Sequence, residues 1–489
     1  MSSSDRVRYV LLIAFIPFLD NTIIPYIIFK IYSSYLIYVI LDTNDVNFET
    51  TSTGTFKLPA ELSEKECGKD YYAYIIAECD KSDKLTNYAS APVSISVPDK
   101  PWEAPEVKAI SFGTPGITNP AVGKSTDKPW TGSYVYFGTY NGSPIKYRVL
   151  DSDTTTFSKD NNTKTMLLDC DSLLFYSKFD DNSNEWSTSY LKRYLNSEKG
   201  EGYDYSSEGF LTTAFTSSEQ SAIASSTKIV DSSDGNEEIG RYFKWSTLND
   251  DKIFLLDAKE ACNTSYGYSK VGGAINRKKT GNNNDTTSWW LRSAVIPVTN
   301  AIGIVSDEFL AFENSVPSKK VYVSPDLNVN LSSILLSSAT GVGKTSAITK
   351  DSNQINTIAS NEWKLTLKDA GKTVNVTKNK AVTKSADGVI TVPYTYTDTA
   401  TTDAEKVNQI SVMITDKAYT ESDAQILYYG ALQTDSINSG SGKGTFELPN
   451  GLDGKTLGSD YHVYILAEHV NDTNATDYAS EPVEITNIY

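Results

Sequence analysis

An alternation of apolar and polar positions with a period of two runs through the C-terminal part of the chain. β-Branched and aromatic residues dominate its apolar positions at 363–367, 389–396, 409–415, 425–432 and 461–467. Such runs predict strands, because successive side chains of a strand point to opposite faces of the sheet. Turn sequences such as Ala386-Asp387-Gly388 separate them. Seven or eight short strands in about 125 residues predict an immunoglobulin-like β-sandwich over residues 361–489.

The same module occurs twice, at a constant offset of 390 residues. Residues 54–59 recur at 444–449, 70–78 recur at 460–468, and 88–93 recur at 478–483. Upstream of these segments, only residues 35–41 still align with the C-terminal copy, at 425–431. Residues 35–98 are therefore predicted to form an incomplete sandwich. An incomplete sandwich leaves an unpaired sheet edge. We therefore expect part of residues 9–41 to pack onto 42–98.

The first segment, residues 1–34, is hydrophobic but irregular. The apolar run 9–19 follows Arg6 and Arg8, a combination that is typical of a secretory signal. Asp20 interrupts the run, and no small-residue cleavage site follows. A spanning helix needs about 20 apolar residues. Three interpretations stay open: a degenerate signal or anchor, a hydrophobic extension that supplies replacement strands, and a spanning helix.

Between the two modules the pattern changes to strands mixed with short helices. Residues 99–128 and 339–360 are rich in small and polar residues and are predicted linkers. Residues 129–338 are predicted to form an α+β domain. Its predicted strands are 133–140, 145–150, 165–169, 253–256, 288–294, 302–305, 321–325 and 334–336.

Local signals place turns and helices in this central domain. Asn141-Gly142 predicts a tight hairpin. Apolar residues spaced three and four apart predict helices near 190–195 and 210–215. The sequence 217–220 (SSEQ) fits a capping box that opens a third helix, and 257–260 (DAKE) fits the cap of a short one.

Composition narrows the classes of function. Asp and Glu total 61 against 44 Lys and Arg, a formal charge of −17, which argues against nucleic-acid binding. The only histidines are His462 and His469, so histidine-based catalysis and Cys/His zinc sites are not expected. We predict no catalytic residues, no metal and no cofactor. The cysteines, expected to be free thiols, are Cys67, Cys79, Cys170 and Cys262.

Two motif-like stretches do not meet the requirements of the sites they suggest. Residues 341–345 (GVGKT) end like a phosphate-binding loop, but Ser338 stands where the first glycine is required, so no nucleotide is expected. Residues 180–185 (DDNSNE) suggest a calcium loop, yet Glu185 stands at the glycine position and Leu191 where the last ligand belongs.

The strongest candidate constellation is Trp289-Trp290-Leu291-Arg292. In a strand, Trp290 and Arg292 face the side opposite to Trp289. One interpretation is core packing with a buried, hydrogen-bonded arginine. The other is a ligand platform with an aromatic stacking face and an arginine fork for a carboxylate or sugar hydroxyls. Further candidate residues for the same surface are Trp186, Tyr266 and Tyr268.

Several ordered motifs of residues 132–338 resemble a known family. They include GSYVYFGTYNGSPIKYRVLD, TMLLDCDSLL, DKIFLLDAKEA, SWWLRSA and VSPDLNV. They look like an uncharacterised domain of surface proteins from Gram-positive, gut-type bacteria, and the flanking modules look like the β-sandwich that usually follows it. At the level of fold, the aromatic-Leu-Arg-Ser strand is also similar to C-type-lectin-like and formylglycine-generating-enzyme-like domains. Asp326 departs from the small residue expected of the family, which puts a binding surface there in doubt.

Three hypotheses of function follow. The first is a secreted or cell-surface adhesion protein that presents a lectin-like central domain, with a glycan or a host or bacterial surface protein as partner. Membrane contact is expected only through the N-terminal segment. The second is a structural spacer or interaction protein. The third is a hydrolase with a carboxylate pair drawn from Asp169, Asp171 and Asp257.

Overall fold

The computed structural model describes most of the chain from residue 106 onward and five strands before it. The described residues are 6–15, 37–40, 71–80, 88–89, 93–95, 106–121, 130, 132–159, 162–197, 208–228, 243–244, 246–269, 275–281, 288–295, 301–306, 309–313, 319–377, 382–434, 437 and 440–489. The chain divides into two compact units, Met1–Pro101 and Trp102–Tyr489. Strands make up 46% and helices 11% of the structure, so this is a β-rich protein with several sheets.

The first unit contains one sheet, with strand order β2-β1-β3-β4 and with β5 paired to β3. Its strands are β1 (Arg6–Phe15), β2 (Ile37–Ile40), β3 (Tyr71–Asp80), β4 (Tyr88–Ala89) and β5 (Val93–Ile95). The apolar N-terminal run therefore enters a sheet as β1 and pairs antiparallel with β3 over its whole length. This is the arrangement expected of an extension that supplies strands. The repeated segment 54–59 and Cys67 lie outside the described residues.

The second unit begins with the strands and short helices of the central region. Its elements up to residue 339 are β6 (Glu106–Lys108), β7 (Ile110–Phe112), β8 (Tyr134–Tyr140), β9 (Ser143–Thr154), β10 (Thr165–Cys170), β11 (Ser172–Leu173), β12 (Phe175–Ser177), α1 (Tyr190–Leu195), α2 (Phe210–Ala214), α3 (Ser217–Ala222), β13 (Ser226–Lys228), β14 (Phe243–Lys244), β15 (Leu248–Asp251), β16 (Ile253–Phe254), β17 (Thr280–Gly281), β18 (Trp289–Val295), β19 (Ile302–Ser306), β20 (Phe309–Glu313), β21 (Val321–Val323), β22 (Asp326–Asn330) and β23 (Ile334–Ala339). Single turns of 3₁₀ helix lie at Trp186–Thr188, Glu260–Cys262, Thr264–Tyr266, Ile275–Arg277 and Leu331–Ser333.

The C-terminal region of this unit consists of strands and one 3₁₀ turn, Asn450–Leu452. The strands are β24 (Thr357–Ala359), β25 (Glu362–Lys368), β26 (Lys372–Val376), β27 (Thr383–Lys384), β28 (Val389–Asp398), β29 (Gln409–Thr415), β30 (Ile426–Ala431), β31 (Gln433–Thr434), β32 (Ser441–Glu447), β33 (His462–His469), β34 (Asp477–Ala479) and β35 (Val483–Glu484). A sheet of β26, β27, β28, β31 and β32 faces β29 and β33 across a shared core that includes Ile390, Val392, Ile410, Val412 and Val463.

Strand pairing reproduces the sequence repeat. Glu78 lies opposite Ala89 in the first unit, and Glu468 lies opposite Ala479 in the second. On the other edge of the repeated strand, β1 pairs with β3 where β29 pairs with β33. The edge formed with β4 and β34 thus keeps the offset of 390 residues. On the other edge β1 takes the place that β29 occupies in the C-terminal copy, without keeping that offset.

One large sheet runs through the whole second unit, in the order β16-β22-β10-β9-β8-β25-β34-β33-β29-β30. β25 makes the connection. Along one edge it pairs in parallel with β8 near its start and with β34 near its end. Along the other edge it pairs antiparallel with β23. Residues 339–360, predicted as a linker, include β24, which pairs with β6 of the other predicted linker.

Local predictions in the central region can be compared with the observed elements. The hairpin turn is confirmed, since Asn141 and Gly142 both have positive φ, 51° and 76°, as a type I′ turn requires. The first two predicted helices are confirmed as α1 and α2. The capping box of α3 was placed one residue too late, because Thr216, not Ser217, is the N-cap, with Glu219 as its partner. The side chain of Glu219 also accepts a hydrogen bond from the Gly138 amide, which fixes that register.

Candidate functional site

β18 carries the tryptophans predicted as a candidate site, and it lies inside the protein. It is an inner strand of a six-stranded sheet, between β21 and β19, and all seven of its side chains are buried. Trp290 donates its indole N–H to the carbonyl of Ser177 at 2.8 Å, and its ring meets the ring of Phe179 edge-on. Trp289 packs beneath the amine of Lys279, 4.2 Å from the ring centroid. Both tryptophans are core residues in this conformation.

Arg292, on the same strand, has no exposed surface and a full set of partners. Its Nη1 and Nη2 donate to the two oxygens of Glu260 at 2.6 and 2.9 Å, and Nη2 also donates to Asp257 at 3.0 Å. The remaining donors reach backbone carbonyls of Ser246 and Leu255. A bidentate guanidinium–carboxylate pair of this kind is strongly directional. The fork that could bind a ligand is therefore occupied by the protein itself.

The turn that follows β16 holds the two carboxylates of this Arg292 cluster (Arg292, Asp257, Glu260 and Lys228). Asp257 accepts a hydrogen bond from the Glu260 amide at 2.8 Å, and Glu260 accepts one from the Asp257 amide at 2.9 Å. These reciprocal bonds precede the 3₁₀ turn Glu260–Cys262, whose N-cap position is Lys259, so residues 257–260 lead into a single turn and not into the short helix that the sequence predicted. These bonds and the arginine together fix both side chains.

The pKa values of the two carboxylates shift in opposite directions. Burial raises the pKa of Glu260, but the charges of Arg292 and Lys228 outweigh burial and lower that pKa to about 2. Burial and then the neighbouring Glu260 charge raise the pKa of Asp257, against the opposing effect of Arg292. Lys228 reaches Glu260 at 2.6 Å from a partly exposed position. Two cations thus face two carboxylates, and the cluster is balanced.

The other three candidate residues are also buried, in different places. Trp186 donates its indole N–H to Asp251 at 3.3 Å. The hydroxyl of Tyr268 donates to Asp169, and Tyr266 is 7% exposed, with its carbonyl accepting a hydrogen bond from Trp130. The six predicted side chains therefore do not converge on one surface. Each of them contributes to the interior of the domain.

A pair of aspartates forms a second buried charge cluster, which we call the aspartate pair. Asp169 of β10 and Asp326 of β22 lie directly opposite each other, and neither side chain is exposed. Asp169 accepts hydrogen bonds from Lys279 and from Tyr268. Neither oxygen of Asp326 receives one from a donor in the described structure. Burial and then the charge of Asp169 raise the pKa of Asp326 well above its ordinary value, because ionisation would place a second negative charge beside Asp169 in the interior.

A polar pocket of about 320 Å³ opens beside β10 and β22. Its floor is a chain of hydrogen bonds in which Thr165 donates to Asn328 at 3.2 Å and Asn328 donates to Ser226 at 2.9 Å. The rest of the lining is Phe157, Ser158, Lys159, Thr163, Ala224, Ser225, Asp250 and Asn330. Hydroxyl, amide, carboxylate and ammonium groups surround one aromatic ring. Such a lining suits a small ligand rich in hydroxyl groups.

The sequence analysis did not identify the pocket or the aspartate pair. The pocket is assembled from β10, β13, β15, β22 and the loops after β9 and before β13, so no short motif marks it. A polar residue at every second position of β22, at Asp326, Asn328 and Asn330, was an available signal. In an otherwise apolar strand, that alternation indicates one polar face.

Two cysteine side chains that the structure describes lie in the interior as well. Cys170 and Cys262 are both buried and free. Burial raises the pKa of both thiols, that of Cys262 to about 11, so neither is a reactive thiolate at neutral pH. No group of three or more His, Cys, Asp or Glu side chains within the described ranges is placed to hold a metal ion.

Comparison with known proteins finds a family model that matches part of the chain. No curated protein matches the chain. No helix in the described part of the chain is both long enough and apolar enough to cross a membrane. The match lies inside the predicted central domain, 129–338, and includes β10, β18, β22, the Arg292 cluster and the aspartate pair. It is to a domain described only as of unknown function (DUF6273), which spans residues 162–331 of this chain.

Proposed function

We propose that this chain is a secreted or cell-surface binding protein whose central domain binds a small polyhydroxylated ligand, such as one sugar unit of a glycan, in the polar pocket. The observation that carries the proposal is the lining of that pocket. Apart from Phe157 and Ala224, the lining side chains are polar, and eight of the eleven lining residues belong to the matched domain. Hydroxyls and amides both donate and accept hydrogen bonds, as sugar hydroxyls do.

The rim and the floor of the pocket have different roles in this proposal. Thr165, Asn328 and Ser226 are buried and bonded to one another, so they keep the floor in shape. Asp250 and Lys159 are exposed at the rim and are available to a ligand. One face of Asp250 is already oriented by Thr227, which donates to its carboxylate at 3.2 Å. A pre-oriented carboxylate binds a pair of sugar hydroxyls at a low entropic cost.

The finer features of the fold enter here as part of the proposal. We take residues 361–489 to be an immunoglobulin-like sandwich, because two sheets face each other across one apolar core. We take the central domain to be lectin-like in function, with the modules as its support. The formal charge of −17 favours a neutral or cationic partner over nucleic acid.

The test is binding of the full chain to an array of glycans, followed by calorimetry on the best hit. Asp250→Asn preserves shape and tolerates the positive φ of 54° at this position, but removes the charge. A hydrogen bond to a charged group is worth about 1.5–3 kcal/mol, so we expect affinity to fall at least about tenfold. The matched control is Asp453→Asn on an exposed turn of the C-terminal module, which should leave affinity unchanged. Equal binding by Asp250→Asn and the unsubstituted chain would refute the pocket as the site.

A structural spacer is the second candidate, and the Arg292 cluster favours it. The side chains predicted as a ligand platform are engaged in packing and in hydrogen bonds to the protein. In this alternative the central domain is a rigid body between other modules, and no sugar on the array binds. The glycan array therefore separates the two candidates.

A further inference from the structure

A lysine from the motif that resembles a phosphate loop lies buried between two carboxylates. Lys344 is 3% exposed, and Glu468 and Asp477 have no exposed surface. Its Nζ lies 2.5 Å from Oε1 of Glu468 and 3.0 Å from Oδ2 of Asp477. It also donates to the hydroxyl of Thr366 at 2.8 Å. We call these residues the Lys344 site.

Each carboxylate of the Lys344 site is held by its second oxygen. Oε2 of Glu468 accepts hydrogen bonds from Ser411 at 2.5 Å and from Tyr429 at 2.6 Å, which leaves Oε1 facing the lysine. Oδ1 of Asp477 faces the amine of Lys364 at 2.8 Å and accepts a hydrogen bond from the Asn471 amide at 2.8 Å. One amine thus faces one oxygen of each acid, and all three groups are oriented.

We propose that Lys344 and Asp477 join in an intramolecular amide bond, with Glu468 as the group that carries the protons. An amine and a carboxyl group held in contact inside a protein react as if at very high concentration, because their translational freedom is already lost. Lys344 is the nucleophile, since it is the lysine that contacts both acids. Lys364 contacts Asp477 but has no ion pair with Glu468 in the described structure.

The reaction balances as a loss of one water molecule. Glu468 takes a proton from the Lys344 ammonium, and the free amine attacks Cγ of Asp477 to form the C–N bond. Negative charge develops on Oδ1, where Lys364 and the Asn471 amide donate hydrogen bonds, in the manner of an oxyanion hole. The C–Oδ2 bond then breaks. Glu468 returns its proton to that oxygen and relays the second nitrogen proton, so water leaves and Glu468 ends ionised.

Charge and burial favour the product. Before the reaction two lysines face two carboxylates, and afterwards Lys364 and Glu468 remain, so the site is neutral in both states. Each buried ion costs several kcal/mol of desolvation, and the amide removes two of them. Burial lowers the pKa of Lys344, but the charges of Asp477 and Glu468 outweigh burial and raise it. The amine therefore starts charged, and the bond forms slowly, after folding.

The first copy of the repeated module has a glutamate and an asparagine at the positions of the two acids of the Lys344 site. Glu78 stands where the C-terminal copy has Glu468, and Asn87 stands where it has Asp477. Aspartate and asparagine both offer a carbonyl carbon to an amine, with water or ammonia as the leaving group. Lys344 itself lies upstream of the repeated segment.

The test is the intact mass of the full chain, measured under denaturing conditions, together with a tryptic map. We expect a mass lower than the sequence mass by one water, and a branched peptide in which Lys344 is joined to Asp477 and is not cleaved by trypsin. Glu468→Gln should have its full sequence mass. The matched control is Lys372→Gln, a buried lysine that also faces two carboxylates, Asp369 and Asp398, and that variant should still lose water.

Two outcomes overturn the proposal. One is an unsubstituted chain with its full mass and a linear Lys344 peptide, a result that decides the matter even where a variant does not fold. The other is a branch mapped to a different lysine. Loss of water in Glu468→Gln at the rate of the unsubstituted chain would remove Glu468 from the mechanism. Glycan binding is a separate measurement at a separate place, so failure here leaves the polar pocket untouched.

Discussion

The Arg292 cluster and the aspartate pair lie in the same domain, and both place carboxylates in the interior, but only the first has a cation for every acid. In the Arg292 cluster, Arg292 and Lys228 balance Asp257 and Glu260. In the aspartate pair, Lys279 faces Asp169, and Asp326 is in excess. A buried excess acid keeps its proton, because ionisation without a partner is too costly. The comparison teaches that matched charges hold their partners in fixed positions, whereas a buried excess acid makes the folded protein less stable as the pH rises.

The largest effect is expected from removing the cation of the balanced cluster. Arg292→Met leaves Asp257 and Glu260 buried without their main partner, so the free energy of unfolding should fall by about 3–5 kcal/mol. Urea denaturation of the full chain measures it. The control is Arg193→Met. The guanidinium of Arg193 lies over the partly exposed ring of Tyr190, 4.6 Å from the ring centroid, so this variant should lower the free energy of unfolding by less than about 1 kcal/mol. Similar losses for both variants would contradict the role given to the cluster.

A smaller effect, and a non-additive one, is expected at the aspartate pair. Asp169→Asn alone should lower the free energy of unfolding only slightly. Asp326 can then ionise in place of Asp169 and pair with Lys279, whose charge already acts on Asp326. Asp169→Asn combined with Asp326→Asn leaves Lys279 buried without a carboxylate and should cost about 3 kcal/mol. A double-mutant cycle by urea denaturation measures the coupling. Additive single effects would show that the two acids do not substitute for each other.

The smallest effect is a stabilisation that depends on pH. The folded pKa of Asp326 is raised, so its contribution to stability is complete below the unfolded value, about 4, and is lost as pH rises towards the folded value. Asp326→Asn is always neutral and avoids that loss. We expect it to be more stable than the unsubstituted chain near neutral pH, with the difference shrinking towards about pH 4. Denaturation midpoints across this range check the slope, and a constant difference would contradict it.

Much of the fold could be predicted because it is local. The strand that contains Tyr464 is rich in β-branched and aromatic residues, and its repeat predicts β3 and the pairing of β3 with β4 as well. The hairpin at Asn141-Gly142 depends on two residues that accept positive φ. The turn at Asp257 and Glu260 follows from four consecutive residues. In the hairpin and in the turn the interacting groups are close in the sequence, so the local pattern contains the information.

The candidate site was harder to predict, for physical reasons. Whether Arg292 faces a ligand or Glu260 depends on two segments that are 32 residues apart, and both arrangements satisfy a guanidinium equally well. The N-cap of α3 was predicted at Ser217, but Thr216 takes that position, because its partner Glu219 also accepts a hydrogen bond from the distant Gly138 amide. The interpretation as a packed, hydrogen-bonded core is the one that the geometry of β18 favours.

The position of β25 has a consequence for dissecting this protein. Its first half hydrogen-bonds to β8 of the central region, and its second half to β34 of the C-terminal region. Dividing the chain between residues 339 and 361 therefore leaves unpaired backbone N–H and C=O groups at a sheet edge of each fragment. Calorimetry of the second unit should accordingly show a single cooperative transition, and recombinant fragments divided there are poor substitutes for the whole.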